Sequence, residues 1–227
     1  SSMAQSNIIQ ISNQQKKVAI TYSSAESKLA AEILYSYLEK SLPNTFEIKD
    51  KNITKSDAQI ILEIQKNNKE LKDQEFILKS NSQDISLLAT NLKSLKYAVY
   101  TLLEKWEFRK FTATVSYIPK PDAFIFPKNF YQKYQPTFAY RTLLYPDSYD
   151  QAFREWHKLD WFNDDFGLWG HTFDRLVPPK THFKTNPKLY ALYEGKRRAE
   201  SLCMTNDTVV ELLCSELKKV IAEKPNA

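Results

Sequence analysis

Glycine, cysteine and histidine are scarce in this sequence of 227 residues, with three, two and three copies. The two cysteines, Cys203 and Cys214, do not form a Cys-x-x-Cys pair, and we interpret them as buried thiols in preference to a disulfide or a pair of metal ligands. The histidines, His157, His171 and His182, lack a metal-binding spacing such as His-Glu-x-x-His. We therefore predict no metal and no cofactor.

Long apolar runs are also absent, since none approaches the roughly 18 residues that span a bilayer, and we predict no membrane span. The 32 basic and 27 acidic residues are interspersed, so there is no basic stripe and we predict no nucleic-acid partner. The first residues carry no basic and apolar signal region, which leaves open a cytoplasmic protein or one whose export segment has been removed. A hydrophobic content of 42% with 13% aromatics predicts a folded protein with a real core.

The first half of the chain has the pattern of an α/β domain. The stretches "ESKLAAEILYSYLEKSL" and "LKSLKYAVYTLLEKW" have apolar residues at helical spacing, and Ser23 with Glu26 has the spacing of a capping box. Short β-favouring runs lie between them, with period-two alternation. We predict that residues 1–15 are a disordered or tag-like start and that residues 16–127 form a mixed sheet with two helices.

The character of the sequence changes after residue 127. Residues 128–136 are punctuated by proline and are predicted to be a linker. From residue 137 to residue 227, strand-like stretches such as "TFAYRTLLYP" and "SLCMT" alternate with helix-like stretches such as "DTVVELLCSELKKVIAEK". This alternation is typical of parallel α/β units.

Three stretches resemble known families. The run from "EFILKS" to "SLKYAVYTLLEKWEFRKF" is similar to the α/β domain that precedes the barrel in glycoside hydrolase families 67 and 20. The stretch "WGHTFDRLVPPKTHFKTNPKLYALYEGKRRAESLCMTND" resembles the signature of a group of Bacteroidota proteins, the domain of unknown function 4838 family, and "FAYR" resembles the opening of the barrel region in such proteins. Two departures, at Ser94 or Leu95 in place of a glycine and at "EFR" in place of "GVR", concern local backbone turns.

This resemblance implies that residues 137–227 are the first βα units of a TIM-like (β/α)8 barrel. A complete barrel needs about 250 residues, whereas 227 − 136 = 91 residues follow Pro136. We therefore expect a fragment of a longer, barrel-containing protein. The resemblance further implies a glycoside hydrolase-like protein of a carbohydrate-degrading, Gram-negative bacterium, exported to the periplasm or the cell surface.

The stretch "WFNDDFGLWGHTF", residues 161–173, concentrates aromatic residues, two adjacent carboxylates, two glycines and a histidine. If it ends a barrel strand, then Trp169, His171 and Thr172 lie at the carboxyl-terminal rim, where barrel enzymes build their sites. An indole face stacks on the apolar face of a sugar, and imidazole or hydroxyl groups bond to its hydroxyls. The alternative is that the aromatic residues pack in the interior.

Two further residues are candidate sugar contacts. Arg141 lies in an apolar stretch, where a guanidinium needs an anion or hydroxyl partner, although a structural ion pair fits equally well. Asn206 borders the same predicted rim and also fits the cap of the last helix. The substrate-binding candidates are therefore Arg141, Trp169, His171, Thr172 and Asn206.

Glycoside hydrolysis uses two carboxylates in most families. Several acidic residues are available in the second half without being indicated by their pattern, namely Asp164, Asp165, Asp174, Glu194 and Asp207. In the related hydrolases the acid residues come from later barrel strands, so the catalytic pair is expected to lie outside this chain. The leading hypothesis is a fragment of a glycoside hydrolase-like protein with a carbohydrate ligand. A non-catalytic carbohydrate-binding protein and an interaction module are the alternatives.

Overall fold

A computed structural model describes residues 7–12, 17–51, 59–161, 167–168 and 170–223 of the chain. The chain forms two compact units, Ser1–Leu159 and Asp160–Ala227. We call them unit 1 and unit 2. The predicted boundary at residues 128–136 is therefore wrong, because the division falls 159 − 136 = 23 residues after Pro136, between positions 159 and 160.

Unit 1 contains ten strands, three α-helices and one 3-10 turn, Pro146–Tyr149, among its described residues. The strands are Ile8–Ser12 (β1), Val18–Tyr22 (β2), Phe46–Asp50 (β3), Gln59–Ile64 (β4), Phe76–Ser80 (β5), Ile85–Ala89 (β6), Arg109–Lys110 (β7), Ser116–Tyr117 (β8), Ala123–Pro127 (β9) and Tyr131–Tyr134 (β10). The helices are Ala25–Ser41 (α1), Leu92–Lys105 (α2) and Gln151–Trp156 (α3).

The main sheet of unit 1 has the strand order β10-β5-β6-β4-β2-β3. The strands β6, β4, β2 and β3 are parallel to one another, whereas β5 and β10 are antiparallel to their neighbours. The sheet is therefore mixed, and it is accompanied by the two long helices of unit 1, α1 with 17 residues and α2 with 14 residues. This architecture confirms the prediction of a mixed sheet with two helices in the first half of the chain.

Helix α1 starts one residue later than the sequence predicts. Ser24 is the N-cap, and its hydroxyl accepts a hydrogen bond from the Ser27 amide at 3.1 Å. The Ser27 hydroxyl in turn accepts from the Ser24 amide at 2.9 Å. A reciprocal capping box is present, but it uses Ser24 and Ser27 in place of Ser23 and Glu26.

The core of unit 1 is rich in aromatic residues. Trp106 stacks on Phe124 with ring centroids 4.7 Å apart, and its indole nitrogen donates to the Ile125 carbonyl at 3.0 Å. Both aromatic rings are buried. Phe124 lies on β9, which pairs antiparallel with β1. Residues 8–12 thus form a strand with two buried isoleucines, so the prediction of a disordered start is wrong for this part of residues 1–15.

The predicted linker is likewise part of the fold. Residues 131–134 form β10, which pairs with β5, and Tyr134 stacks on Phe76 at 4.7 Å. Lys133 of β10 also pairs with the Glu75 carboxylate at 3.0 Å. The flanking prolines, Pro127 and Pro136, suggested a linker, but residues 131–134 pair with β5 as the edge strand of the sheet.

Helix α3 belongs to unit 1 and not to a barrel. Trp156 is 2% exposed and lies against Tyr37 of α1 and Tyr100 of α2, at 5.4 and 5.2 Å between ring centroids. Glu155 accepts from Lys96 at 2.7 Å and from the Tyr100 hydroxyl at 3.3 Å. Burial raises the pKa of Tyr100, and the charge of Glu155 raises it further.

The stretch 137–145 was predicted to be the first barrel strand, but the structure assigns no strand to it. Its carbonyl groups accept instead from side chains. Gln74 donates to the Ala139 carbonyl at 2.7 Å, and the Ser148 hydroxyl donates to the Leu143 carbonyl at 2.7 Å. These bonds replace a strand ladder, and the prediction is wrong.

Unit 2 is built from short elements and one long helix. Its described α-helices and strands are Phe173–Leu176 (α4), Pro179–His182 (α5), Tyr190–Tyr193 (β11), Lys196–Leu202 (β12) and Asp207–Glu223 (α6), and a 3-10 turn spans Pro187–Leu189. The strands β11 and β12 form an antiparallel hairpin. Among the described residues after Pro136, no two strands pair in parallel.

The prediction that residues 137–227 form the first parallel βα units of a barrel is therefore wrong for the part of this segment that the structure describes. The physical reason lies at Glu194 and Gly195, which have φ angles of 47° and 73°. Two successive residues with positive φ make the type I′ turn that closes a two-residue hairpin. The strand β12, which contains only Ser201 and Leu202 of "SLCMT", consequently turns back on its antiparallel neighbour β11.

The core of unit 2 is small. Its buried residues are Val177, Leu189, Tyr190, Leu202 and Val209. Neither cysteine belongs to it, since Cys203 is half-buried and Cys214 is exposed, which corrects the prediction of two buried thiols. Within the described ranges, no helix is long and apolar enough to cross a membrane.

Candidate functional site

Among its described residues, unit 2 has a groove of about 1010 Å³. We call it the unit 2 groove. Its polar and charged lining residues are His171, Thr172, Asp174, Lys180, Glu200 and Ser201. Its remaining lining residues are Gly170, Phe173, Val177, Pro178, Pro179, Tyr190, Ala199, Leu202 and Met204.

One wall of the groove is set by α4 and the turn before it. Gly170 has a φ of +69°, a value that glycine adopts without steric cost. Thr172 then begins α4, and its carbonyl accepts from the amide of Arg175 at 3.0 Å. The Thr172 side chain makes no capping bond. Its hydroxyl group is therefore available on the groove wall beside His171.

The floor of the groove is tied together through Tyr190. Its hydroxyl donates to the Val177 carbonyl at 3.2 Å, and its ring meets Phe183 edge-on at 5.1 Å. Burial raises the pKa of the Tyr190 hydroxyl, so the group stays protonated as the donor. This contact fixes the start of β11 against the segment between α4 and α5.

The opposite wall comes from β12. The turn at Glu194 and Gly195 folds β12 back along β11, and the ladder has a register shift between Tyr190 and Ala191. Tyr190 pairs with Leu202, whereas the next residue, Ala191, pairs with Arg198. Residues 199–201 of β12 therefore have no partner on β11. A bulge of this kind redirects the side chains next to it. Glu200 and Ser201, which lie inside the bulge, line the groove.

The groove offers two kinds of surface to a ligand. Phe173 and Met204 are 50% and 53% exposed, and they provide apolar area beside the proline pair. His171, Thr172 and Ser201 provide groups that donate and accept hydrogen bonds. A ligand with one apolar face and a rim of hydroxyl groups meets partners for both.

The charges in the groove are uncompensated. Asp174 and Glu200 are exposed carboxylates, and Lys180 is an exposed ammonium group. Over the described part of the chain, none of the three takes part in a hydrogen bond or an ion pair. Two carboxylates against one ammonium leave the lining with an excess of negative charge.

The structure brings two of the five predicted site residues together. His171 and Thr172 are neighbours on the groove wall. Trp169 lies outside the described residues. Asn206 is not among the residues that line the groove, and Arg141 belongs to unit 1.

Arg141 has a structural role in unit 1. Its guanidinium donates to the Lys158 carbonyl at 2.9 Å and to the Gln74 side-chain oxygen at 2.6 Å. It also donates to the Phe138 carbonyl at 2.6 Å and lies 5.9 Å from the centre of the Tyr97 ring. The predicted guanidinium partner is thus a set of oxygen atoms of the protein itself.

Asn206 caps α6, one of the two roles that its sequence position allows. Its side-chain oxygen accepts from the Thr208 amide at 3.0 Å, and its side-chain nitrogen donates to the Lys188 carbonyl at 3.1 Å. Both ends of the amide are therefore engaged within unit 2. Asn206 stabilises the start of the helix.

Sequence reasoning missed Glu200, Ser201 and Lys180 as groove residues. The dipeptide Glu194-Gly195 is the signal that could have located the first two. A glycine in a short break between β-favouring runs indicates a hairpin turn, although glutamate is not one of the residues that favour positive φ before it. Had "YEGKRR" been read as a hairpin, Ala199 would have fallen opposite Tyr190, with Glu200 and Ser201 directly after it.

Cys203 lies between the groove residues Leu202 and Met204. A hydrogen bond from the Thr205 hydroxyl lowers the pKa of the Cys203 thiol against the opposing effect of desolvation, and Arg197 lowers it further. The thiol therefore has more thiolate character than a free cysteine. No group of three or more histidine, cysteine or acidic side chains within the described residues could hold a metal ion.

A protein-family model, "Domain of unknown function (DUF4838)", matches residues 110–227. The chain belongs to this family. The match spans all of unit 2 and the last part of unit 1. It confirms the family resemblance of the second half of the sequence. A search of curated proteins found none with significant similarity to the chain.

Several solved glycoside hydrolases are similar in structure over part of the chain. A family 20 exo-β-N-acetylglucosaminidase from Vibrio harveyi, solved with N-acetylglucosamine, is 17% identical, with a TM-score of 0.41 over 59% of this chain and 18% of that protein. A family 115 4-O-methyl-α-glucuronidase with specificity for decorated arabinogalactans is 18% identical, with a TM-score of 0.43 over 60% and 19%.

A family 138 enzyme that targets pectin rhamnogalacturonan II is 12% identical, with a TM-score of 0.35 over 90% of this chain and 24% of that protein. The chain thus spans between about a sixth and a quarter of the length of these structures.

Proposed function

We propose that the unit 2 groove binds an oligosaccharide, and that the chain is part of a glycoside hydrolase-like protein that cleaves O-glycosyl bonds in its longer form. The observation that carries this proposal is the composition of the groove lining. Phe173 and Met204 offer exposed apolar area, and His171, Thr172 and Ser201 offer hydrogen-bonding groups. Sugars present the same combination of an apolar C–H face and hydroxyl groups.

Membership of the family and the sequence resemblance to the domain that precedes the barrel in glycoside hydrolases support this proposal. Export to the periplasm or the cell surface of a Gram-negative bacterium belongs to the same proposal, because a polysaccharide-degrading protein has to reach its substrate. Cell fractionation of the source bacterium tests this part. Recovery of the protein only from the cytoplasm would contradict it.

Binding is tested by titrating the 227-residue chain with a panel of neutral, amino and acidic oligosaccharides in a calorimeter. We expect at least one to bind. For that ligand, His171→Ala should weaken affinity by about tenfold, the effect of about 1.4 kcal/mol from a lost hydrogen bond. His182→Ala is the matched control, since His182 does not line the groove. Equal losses in both variants, or no binding in the panel, would contradict the proposal.

A non-catalytic carbohydrate-binding protein is the second candidate. The two unpaired carboxylates of the groove, Asp174 and Glu200, do not decide between binding and cleavage. Reducing-sugar release from the bound oligosaccharide by the longer protein supports hydrolysis. Binding by the longer protein without any release supports the non-catalytic alternative.

A further inference from the structure

The charges of the unit 2 groove restrict the kind of saccharide that it accepts. Asp174 lies in the first turn of α4 and Glu200 on β12, so the two carboxylates come from different elements of the groove wall. Neither is paired within the part of the chain that the structure describes. A carboxylate without a partner accepts hydrogen bonds and attracts a cationic donor.

Lys180 does not neutralise this pair. It is the one lysine or arginine among the described lining residues, and it makes no ion pair with either carboxylate. An anionic sugar in the groove therefore meets two like charges for each opposite one. Like charges at close range cost binding free energy and exclude wrong ligands.

We propose that the unit 2 groove selects a saccharide that carries a protonated amine, over the N-acetylated form of the same sugar and over a sugar acid. Asp174 and Glu200 are the residues that determine this specificity, by accepting from the ammonium group of an amino sugar. The hydroxyl groups of Thr172 and Ser201 and the apolar wall at Phe173 hold the sugar ring beside it. This inference rests on the proposed function of the groove.

The charge of the whole chain makes the inference easy to test. The formal net charge is +5, so attraction to the protein as a whole favours an anionic oligomer and opposes a cationic one. A preference for the cationic oligomer therefore has to come from local charges. The groove is a cavity of this kind, because its lining holds two carboxylates and one ammonium group.

The experiment compares three tetrasaccharides on the 227-residue chain below the pKa of the sugar amine: glucosamine, N-acetylglucosamine and galacturonic acid oligomers. We expect the glucosamine tetramer to bind about tenfold more tightly than the N-acetylated tetramer, and the galacturonic acid tetramer to bind most weakly. The conservative variants Asp174→Asn and Glu200→Gln should each reduce the preference for the amine. Added salt should reduce it as well.

Glu211→Gln is the matched control, because Glu211 is an exposed carboxylate on α6 that does not line the groove. It should leave the preference unchanged. Equal affinities for the first two tetramers, tightest binding of the acidic tetramer, or an unchanged preference in both groove variants would overturn the inference while the proposed function stands. If no saccharide in the wider panel bound, the proposed function itself would be contradicted.

Discussion

Unit 1 and unit 2 differ most in the size of their cores. The buried cluster of unit 1 runs from the strands of the mixed sheet through α1 and α2 to Trp156 of α3. The cluster of unit 2 consists of five buried residues, with a few half-buried side chains around them. Hydrophobic burial provides most of the stability of a fold, so unit 1 is the stable part of the chain and unit 2 the less stable part.

This difference accounts for the place of the groove. A large core with continuous strands leaves few open concave surfaces, whereas short elements such as α4 and α5 around a small core leave one lined by side chains. Binding surfaces are often found in the less stable parts of a structure for this reason. Under the proposed function, unit 1 is a scaffold and unit 2 provides the binding surface.

The largest effect is expected from Trp156→Ala, which tests the assignment of α3 to the core of unit 1. Trp156 is 2% exposed between Tyr37 and Tyr100. Its loss should lower the free energy of unfolding by about 3–5 kcal/mol. Chemical denaturation measures the change. Phe138→Ala is the control, since Phe138 is 70% exposed and should change stability by less than about 0.5 kcal/mol. If the two substitutions changed the free energy of unfolding by similar amounts, Trp156 would not belong to the core of unit 1.

A smaller and more local effect is expected in unit 2 from Val209→Ala. Val209 is 0% exposed in the small core, and the loss of its methyl groups should cost about 2 kcal/mol. Hydrogen exchange should show faster exchange of the α6 amides, with the β2 and β4 amides of unit 1 unchanged. The neighbouring Val210, at 46% exposed, is the matched control. Faster exchange in both units would show that they unfold together.

The smallest effect concerns acid stability in unit 1. Burial alone would raise the pKa of Glu75, but the Lys72 amide and Lys133 stabilise the carboxylate more strongly and lower the pKa below 4.5. A lowered folded-state pKa gives stability that is present above the unfolded value and lost as the pH falls through the folded value.

Glu75→Gln should therefore reduce stability at neutral pH, and its difference from the unchanged chain should shrink as the pH falls below 4.5. Denaturation midpoints across this pH range test the prediction. Glu70→Gln is the control, because Glu70 is exposed in the same loop. A difference for Glu75→Gln that stays constant with pH would refute it.

The fold of unit 1 could be predicted from the sequence because its signals are local. The apolar stripe of Ala30, Leu34 and Leu38 on α1 repeats every four residues, and all three residues are buried. The period-two pattern of Ile60 and Leu62 on β4 likewise matches the two buried positions of that strand. Such patterns determine secondary structure without knowledge of the tertiary contacts.

The errors of prediction occur where tertiary contacts decide. Trp156 lies in the segment that was predicted to be a barrel, but it packs on Tyr37 of α1 and Tyr100 of α2. Residues 137–145 have strand propensity, but their carbonyl groups accept hydrogen bonds from the side chains of Gln74 and Ser148 instead. Gln74 is distant in sequence, and Ser148 belongs to no pattern that indicates such a bond. In the groove, His171 and Thr172 could be predicted from a cluster of unusual residues, whereas Glu200 required the hairpin turn to be recognised.

The central claim is that the unit 2 groove binds a saccharide. The most direct measurement is an NMR titration of the isotopically labelled chain with the tightest-binding oligosaccharide of the panel. The account predicts that the largest chemical-shift changes occur at groove residues such as His171, Thr172 and Glu200, with the β2 and β4 amides unchanged. Saturable shifts centred on unit 1, with the groove residues unaffected, would contradict it.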